Sequence, residues 1–283
     1  VPVFFSRGVV QISAYVDTMI ASLLPTGALA ALANAQLLYT LPVSLFGMSV
    51  SAAELPVMSG AVAKEAEAAA YLRRRLDAGL RQIAFFIVPT AIAFLALGDV
   101  IAAAIFQTGR FTRADAVYVW GILAGSTIGL LASTLGRLYS SSYYAMIDPH
   151  TPLRYAAIRV ALTGALGYCF AVPLPPVLGI EPRWGVAGLM ASGGIAAWVE
   201  FTLLRRTMNR RIGVTGLAPG YTVRLFAASL CAAAAGWAVK LAMGTPHPIV
   251  AAVAILPAYG IVYIAMALAL RIDEVRSLVN RLR

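Results

Sequence analysis

The hydrophobic positions of this chain fall in long blocks separated by short polar stretches. A helix needs about 20 mostly apolar residues to cross a bilayer. Blocks of that length lie at 2–25, 28–58, 79–105, 114–146, 153–176, 184–204, 221–243 and 247–270. The pattern predicts an all-α, polytopic transmembrane helix bundle of about eight spans. The second block carries Pro42 and Pro56, which predicts a kink or bend at its cytoplasmic end, because proline removes a ladder donor and clashes with the preceding turn. The third is expected to cross by about residue 97 and then turn into a short interfacial helix. The fourth is long enough to tilt or to extend beyond the membrane. Residues 61–80, AVAKEAEAAAYLRRRLDAGL, read either as an amphipathic helix on the cytoplasmic surface or as a solvated connector.

Composition narrows the class. Of 283 residues, 60% are hydrophobic and 12% charged, with a mean hydropathy of +0.82. A soluble domain averages roughly 45–50% apolar and about 25% charged. The difference excludes a secreted disulfide scaffold, a disordered tail and an ordinary cytosolic enzyme. The net charge of +10 would suggest nucleic acid in a soluble protein. In a membrane protein it marks the cytoplasmic loops, so no nucleic-acid partner is expected. Lys64, Arg73, Arg74, Arg75 and Arg81 lie between spans two and three, and Arg154 between four and five. Arg205, Arg206, Arg210 and Arg211 follow span six, and Arg271, Arg276, Arg281 and Arg283 follow span eight. The opposite loops hold Arg110, Arg113 and Arg183, with Lys240 near an outer end. Every second loop is therefore basic, which places both chain ends inside.

The chain starts at Val1 with an apolar block, without a charged leader region or a small-residue cleavage site. It reads as a piece whose beginning is missing. Gly121, Gly125 and Gly129 in span four, and Gly185, Gly188, Gly193 and Gly194 in span six, mark close helix contacts. Cys169 and Cys231 sit in apolar runs and suggest no disulfide framework. His150 and His247 lie in loops, with no metal-ligand spacing. No G-x-S-x-G, H-E-x-x-H or phosphate-binding loop occurs, so transport or lipid handling is expected rather than an enzyme's bond chemistry.

Ionisable residues at membrane depth are costly and are functional candidates. Asp17 is the deepest, and needs a cation, a proton or a basic partner. Arg7, Glu54, Arg137, Arg159 and Glu200 fall in the cytoplasmic parts of their spans. They read as snorkelling side chains, as an Arg–Glu gating network, or as arginines that attract an anionic headgroup.

The second span, NAQLLYTLPVSLFGMSVSAAELPVMS from Asn34 to Ser59, resembles the eighth helix of the MurJ (MviN) lipid II flippases. These belong to the multidrug/oligosaccharidyl-lipid/polysaccharide exporter superfamily. Ala35, Leu38, Leu41, Pro42, Phe46, Gly47, Leu55, Pro56 and Ser59 fit that pattern. QISAYVDTMIASLLPTGALAAL resembles the seventh helix and GRFTRADA the entry to the tenth. YYAMIDPHTPLRYA resembles the linker after it, and WGVAGLMASGGIAAWVEFTLL the twelfth helix. The resemblance covers the whole chain as helices seven to fourteen. It implies residues 1–212 as the C-terminal six-helix transport lobe. It implies 213–283 as two extra helices with a lipid-tail groove and a basic tail. It also implies lipid II as cargo, moved outward by alternating access across a bacterial cytoplasmic membrane, with an upstream N-terminal lobe and membrane lipids as partners. Asp17 matches a carboxylate that some members use for sodium. The partner positions appear here as Thr163 and Gly167. The headgroup arginine of the eighth helix is replaced by Leu37, with Gln36 and Thr40 at neighbouring acidic or polar positions. Another polyprenyl-linked oligosaccharide flippase, or a non-transporting scaffold of that fold, stays open on these departures.

Overall fold

The computed structural model describes residues 15–62, 68–244 and 247–275. Among them the regular structure is helical. Helix α1 covers 15–22, followed by α2 (Ala28–Pro42), a π-helical segment (Val43–Met48), α3 (Ser49–Val62) and α4 (Ala68–Phe106). Then come α5 (Arg113–Ala145), α6 (His150–Ala171), the single turn α7 (Leu174–Val177) and α8 (Gly185–Ile212). The last two are α9 (Pro219–Met243) and α10 (Pro248–Ala269).

Local chemistry sets the ends. Thr112 opens α5 with a capping box: its hydroxyl accepts from the Asp115 N–H, and the Asp115 carboxylate accepts from the Thr112 N–H at 2.8 Å. Prolines at the first positions of α9 and α10 start helices where a missing N–H costs nothing. Gly27, at φ 93, turns the chain from α1 into α2. In the second span the regular α-helical ladder gives way in mid-span to the π segment directly after Pro42, while Pro56, near the end where the bend was expected, lies inside the continuous helix α3.

Among the described residues, six helices are long and apolar enough to cross a membrane: Ala28–Gly60, Ala69–Phe106, Arg113–Ala145, Pro182–Ile212, Pro219–Met243 and Pro248–Ala269. The protein is an integral membrane protein. Helix α6, with 22 residues, has the length but carries Arg154 and Arg159, which lower its hydropathy. Most of the first expected span lies outside the described residues.

The third span differs from expectation at both ends. Helix α4 runs unbroken for 39 residues, roughly 58 Å at the helical rise and well beyond a hydrocarbon core of about 30 Å. It does not turn near residue 97. Residues 68–80, expected as a separate surface helix, are its first turns; residues 63–67 lie outside the described residues. Leu72, Leu76 and Leu80 recur every fourth position and are buried. That apolar stripe packs on the bundle, while Tyr71, Arg73 and Arg74 on the other face stay exposed.

Two packed cores share α4. One joins it to α2, α3, α5, α6 and α8; the other joins its opposite face to α9 and α10. The glycine stripes act where the helices cross. A Cβ on Gly129 would overlap the Gly194 backbone, and one on Gly188 would meet the Phe170 carbonyl at 2.6 Å. Backbones this close exclude any side chain.

Candidate functional site

The α1, α6 and α8 helices meet through small residues. A Cβ on Gly164 would lie 3.6 Å from Val16, and one on Gly167 3.5 Å from Ile20 and 3.3 Å from the Ser192 hydroxyl. Thr163 faces Gly193 of α8, with its methyl 3.9 Å from an added Cβ there. Asp17 follows Val16, and Thr163 precedes Gly164. Both therefore belong to the same crossing. The Asp17 Oδ1 and Thr163 Oγ1 atoms are buried and, among the described residues, have no hydrogen-bond partner. Burying such oxygens unpaired costs free energy, so two of them at one crossing stand out from the rest of the core.

One turn along α6 from Thr163, Arg159 donates to Glu200 of α8 at 2.9 Å. Its other terminal nitrogen is 3.5 Å from the Ser133 hydroxyl of α5. Arg159 also lies within electrostatic reach of Asp17. Arg137, one turn from Ser133, is half-buried with its Nε unpartnered among the described residues, and lies in the field of Tyr39, Arg159 and Glu200. Five of the residues singled out in the sequence (Asp17, Thr163, Arg137, Arg159 and Glu200) thus form one polar axis through α1, α5, α6 and α8.

Glu54 is placed elsewhere. It takes a two-pronged ion pair from Arg75, at 2.8 and 3.0 Å, joining α3 to the first turns of α4. Glu54 is the more buried partner, and its charge is met by an arginine read in the sequence only as an orientation signal. This makes Glu54 a clamp between helices. Arg7 lies outside the described residues.

The face of α2 holding the departures from the family pattern is open. Ala33, Gln36, Leu37, Thr40, Leu41 and Ser44 line a shallow hollow of about 360 Å³, and Leu37 is 56% exposed. The hollow carries no cation.

The family model described as "Lipid II flippase MurJ" matches residues 1–256. The chain belongs to the lipid II flippase MurJ family. It is 30% identical over 221 residues to "Lipid II flippase MurJ" of Burkholderia cenocepacia, covering 78% of this chain and 40% of that protein. To the Thermotoga maritima protein called "Probable lipid II flippase MurJ" it is 24% identical over 282 residues, covering 98% of this chain and 53% of that one. A solved structure, "Lipid II flippase MurJ, inward closed conformation", superposes with a TM-score of 0.77 at 23% identity, over 95% of this chain and 53% of that one. The last likeness shows the fold. The chain spans about half the length of these relatives or less.

Within this MurJ family chain, sequence reasoning missed the structural polar partners. The helix ends beside the arginine-rich loops are tied by a loop after α8: Thr215 bonds Tyr139 and Asn209, the Gly216 N–H donates to Asp77, and Arg205 donates to the Thr215 carbonyl. Arg211 pairs with Asp148 at 2.7 Å. Burial works against the ionised Asp148, but the Thr151 hydroxyl and N–H and the Arg211 guanidinium outweigh it and hold the carboxyl below its usual range. At the opposite end Lys240 pairs with Asp99 at 2.6 Å. A basic residue in one helix beside an aspartate far away in the chain gives no local sequence signal.

Proposed function

We propose that this chain carries the C-terminal half of a lipid II flippase, moving an undecaprenyl-linked peptidoglycan precursor from the cytoplasmic to the outer leaflet by alternating access. The observation that carries the reading is the polar axis, with its unpartnered carboxylate and hydroxyl, in a chain of this family. In this reading residues 1–212 form a transport lobe and 213–283 two added helices against α4, with an upstream lobe completing the cavity. The membrane is the bacterial cytoplasmic membrane. The arginine-rich loops face inside, as do both chain ends, because cations are retained on that side.

Asp17 and Thr163 are the residues that would hold a sodium ion. Two unpaired oxygens, one anionic, suit a monovalent cation that carbonyls or water complete; Gly167 adds no side-chain ligand, and Leu189 and Ser192 close on it. The bound ion would supply the positive charge that lets Asp17 stay ionised at membrane depth. The chain's own residues do the rest. Asp17 and Thr163 draw α1 onto α6. Arg159 is held by Glu200 and so contributes little free charge to a cargo. Arg137 keeps an unpaired nitrogen and is the arginine best suited to a pyrophosphate. The α2 face, with Leu37 in place of the family's arginine, contacts the cargo through apolar and neutral groups. That departure favours, as a second reading, a flippase for a different polyprenyl-linked oligosaccharide.

Complementation tests the proposal. The gene with its upstream region should rescue cells depleted of their native flippase, and Arg137→Ala should reduce that rescue. Normal protein levels without rescue would turn the assignment toward the second reading or a scaffold.

A further inference from the structure

The end of the bundle opposite the arginine-rich loops holds a second polar cavity, remote from the Asp17 axis. Four helix ends meet there: the last turns of α4 and α9 and the first turns of α5 and α10. They enclose a cavity of about 260 Å³. Its polar lining is Asp99 and Gln107 from α4, Arg113 from α5 and Lys240 from α9; the remainder is largely apolar, including Val100 and Ile255.

The charges do not balance. Lys240 spends its charge on Asp99, with both carboxylate oxygens within 2.9 Å. Arg113 has no ion pair or hydrogen bond among the described residues, and neither does the half-buried Gln107 side chain. The carboxylate in the same turn of α5, Asp115, is taken up by the Thr112 N–H and hydroxyl. Arg113 also sits in the first turn of a 33-residue helix, where the macrodipole disfavours a cation. A guanidinium held at the wrong end of a helix, over a cavity with a neutral donor and an apolar wall, matches an anion carrying an apolar body.

We propose that this cavity binds the phosphate of a membrane lipid from the leaflet on that side. Arg113 is the charged contact, Gln107 the neutral donor, and the first acyl carbons lie against Val100 and Ile255. Arg is suited to this work because its planar fork meets phosphate oxygens in pairs. The Lys240–Asp99 pair fixes α9 to α4 and holds the cavity open at a set width.

The test titrates the full chain in neutral detergent and counts bound lipid by native mass spectrometry. The probes are phosphatidylglycerol, diacylglycerol with the same acyl chains, and inorganic phosphate. The wild type should retain phosphatidylglycerol and not diacylglycerol. Arg113→Gln should weaken retention about tenfold, the loss expected for a charge-assisted hydrogen bond. Arg113→Lys should recover much of it, and Arg110→Gln, on the same loop outside the cavity, should leave it unchanged. Arg113 is exposed, so these changes spare the core. Equal phosphatidylglycerol retention by wild type and Arg113→Gln would overturn the proposal, as would equal retention of diacylglycerol. Binding of inorganic phosphate without phosphatidylglycerol would overturn the lipid source.

Discussion

The two faces of α4 solve the same problem in opposite ways. On one face α9 and α10 meet it with their polar groups paired. Pro89 has no N–H, which frees the Phe85 carbonyl four residues earlier, and the Tyr263 hydroxyl donates to that carbonyl at 2.6 Å. Tyr259 donates to the Pro89 carbonyl at 2.7 Å, and the Trp237 indole to the Ala96 carbonyl at 2.8 Å. Lys240 pairs with Asp99. In lipid, a freed carbonyl must find a donor within the protein, and α10 brings two tyrosines to the helix that carries Pro89. On the other side of the molecule, the α1–α6–α8 crossing leaves the Asp17 Oδ1 and Thr163 Oγ1 atoms without a partner among the described residues. Glycines there bring backbones together with no polar group to spare. A satisfied polar group is glue; an unsatisfied one beside an ion pair is where a ligand has something to gain.

The comparison can be broken most decisively at Asp17. Asp17→Asn should abolish rescue of flippase-depleted cells, and should remove the rise in thermal midpoint that sodium chloride gives the wild type relative to potassium chloride. For a site ten times above its dissociation constant that rise corresponds to about 1.4 kcal/mol. A sodium-dependent shift that survives in Asp17→Asn would move the cation site elsewhere. Next comes the ion pair of the same axis. Glu200→Gln should cost about 1.5 kcal/mol, because it takes the partner from a guanidinium that is only partly solvated. The double change Arg159→Met with Glu200→Met should recover most of the loss, measured by denaturant unfolding in detergent. A single change as mild as the double would mean that Arg159 is solvated.

On the paired face, Tyr263→Phe should cost about 1 kcal/mol, the range for an interhelical hydrogen bond in a membrane bundle. The effect should fall on stability and leave transport intact in proportion to protein level. A transport defect at normal level would erase the distinction between the two faces. The smallest effect is expected outside the membrane. Asp148 has a depressed pKa in the folded state. Its contribution is therefore present above the unfolded carboxylate value, about 3.9, and is lost as pH falls through the folded value. Arg211→Gln should flatten that acid limb in a titration of thermal midpoint, by less than about 1 kcal/mol, as for an exposed pair.

How much was legible depends on range. The apolar blocks of spans two, three, four, six, seven and eight all emerge as helices of crossing length, since the bilayer sets a length that sequence must meet. The glycine runs announced close crossings, and they occur at Gly121, Gly125, Gly129, Gly185, Gly188 and Gly194, whereas Gly193 has only an ordinary contact. Within the candidate site, depth alone picked out Asp17, Arg137, Arg159 and Glu200, because charge in lipid is rare enough to stand out. It also picked out Glu54, which the fold spends on Arg75. Thr163 came from the family pattern alone. Tyr259 and Tyr263 escaped notice, though Pro89 was a signal: a proline deep in a buried helix frees a carbonyl that some donor must reach. Ser133 and Asp77 gave no signal, because their partners are far away in the chain.

Sequence by itself determined what depends on one dimension: where the chain is apolar long enough to cross, where cations cluster, where charge is out of place and which family pattern recurs. The tertiary structure decided the pairing. It decided that α4 continues through residues 68–80, because a leucine stripe there has a bundle to pack on. It decided that Glu54 is neutralised by Arg75 while one Asp17 oxygen has no partner among the described residues. Whether a buried charge is a clamp or a site depends on what three other helices place beside it, and that is a property of the packing.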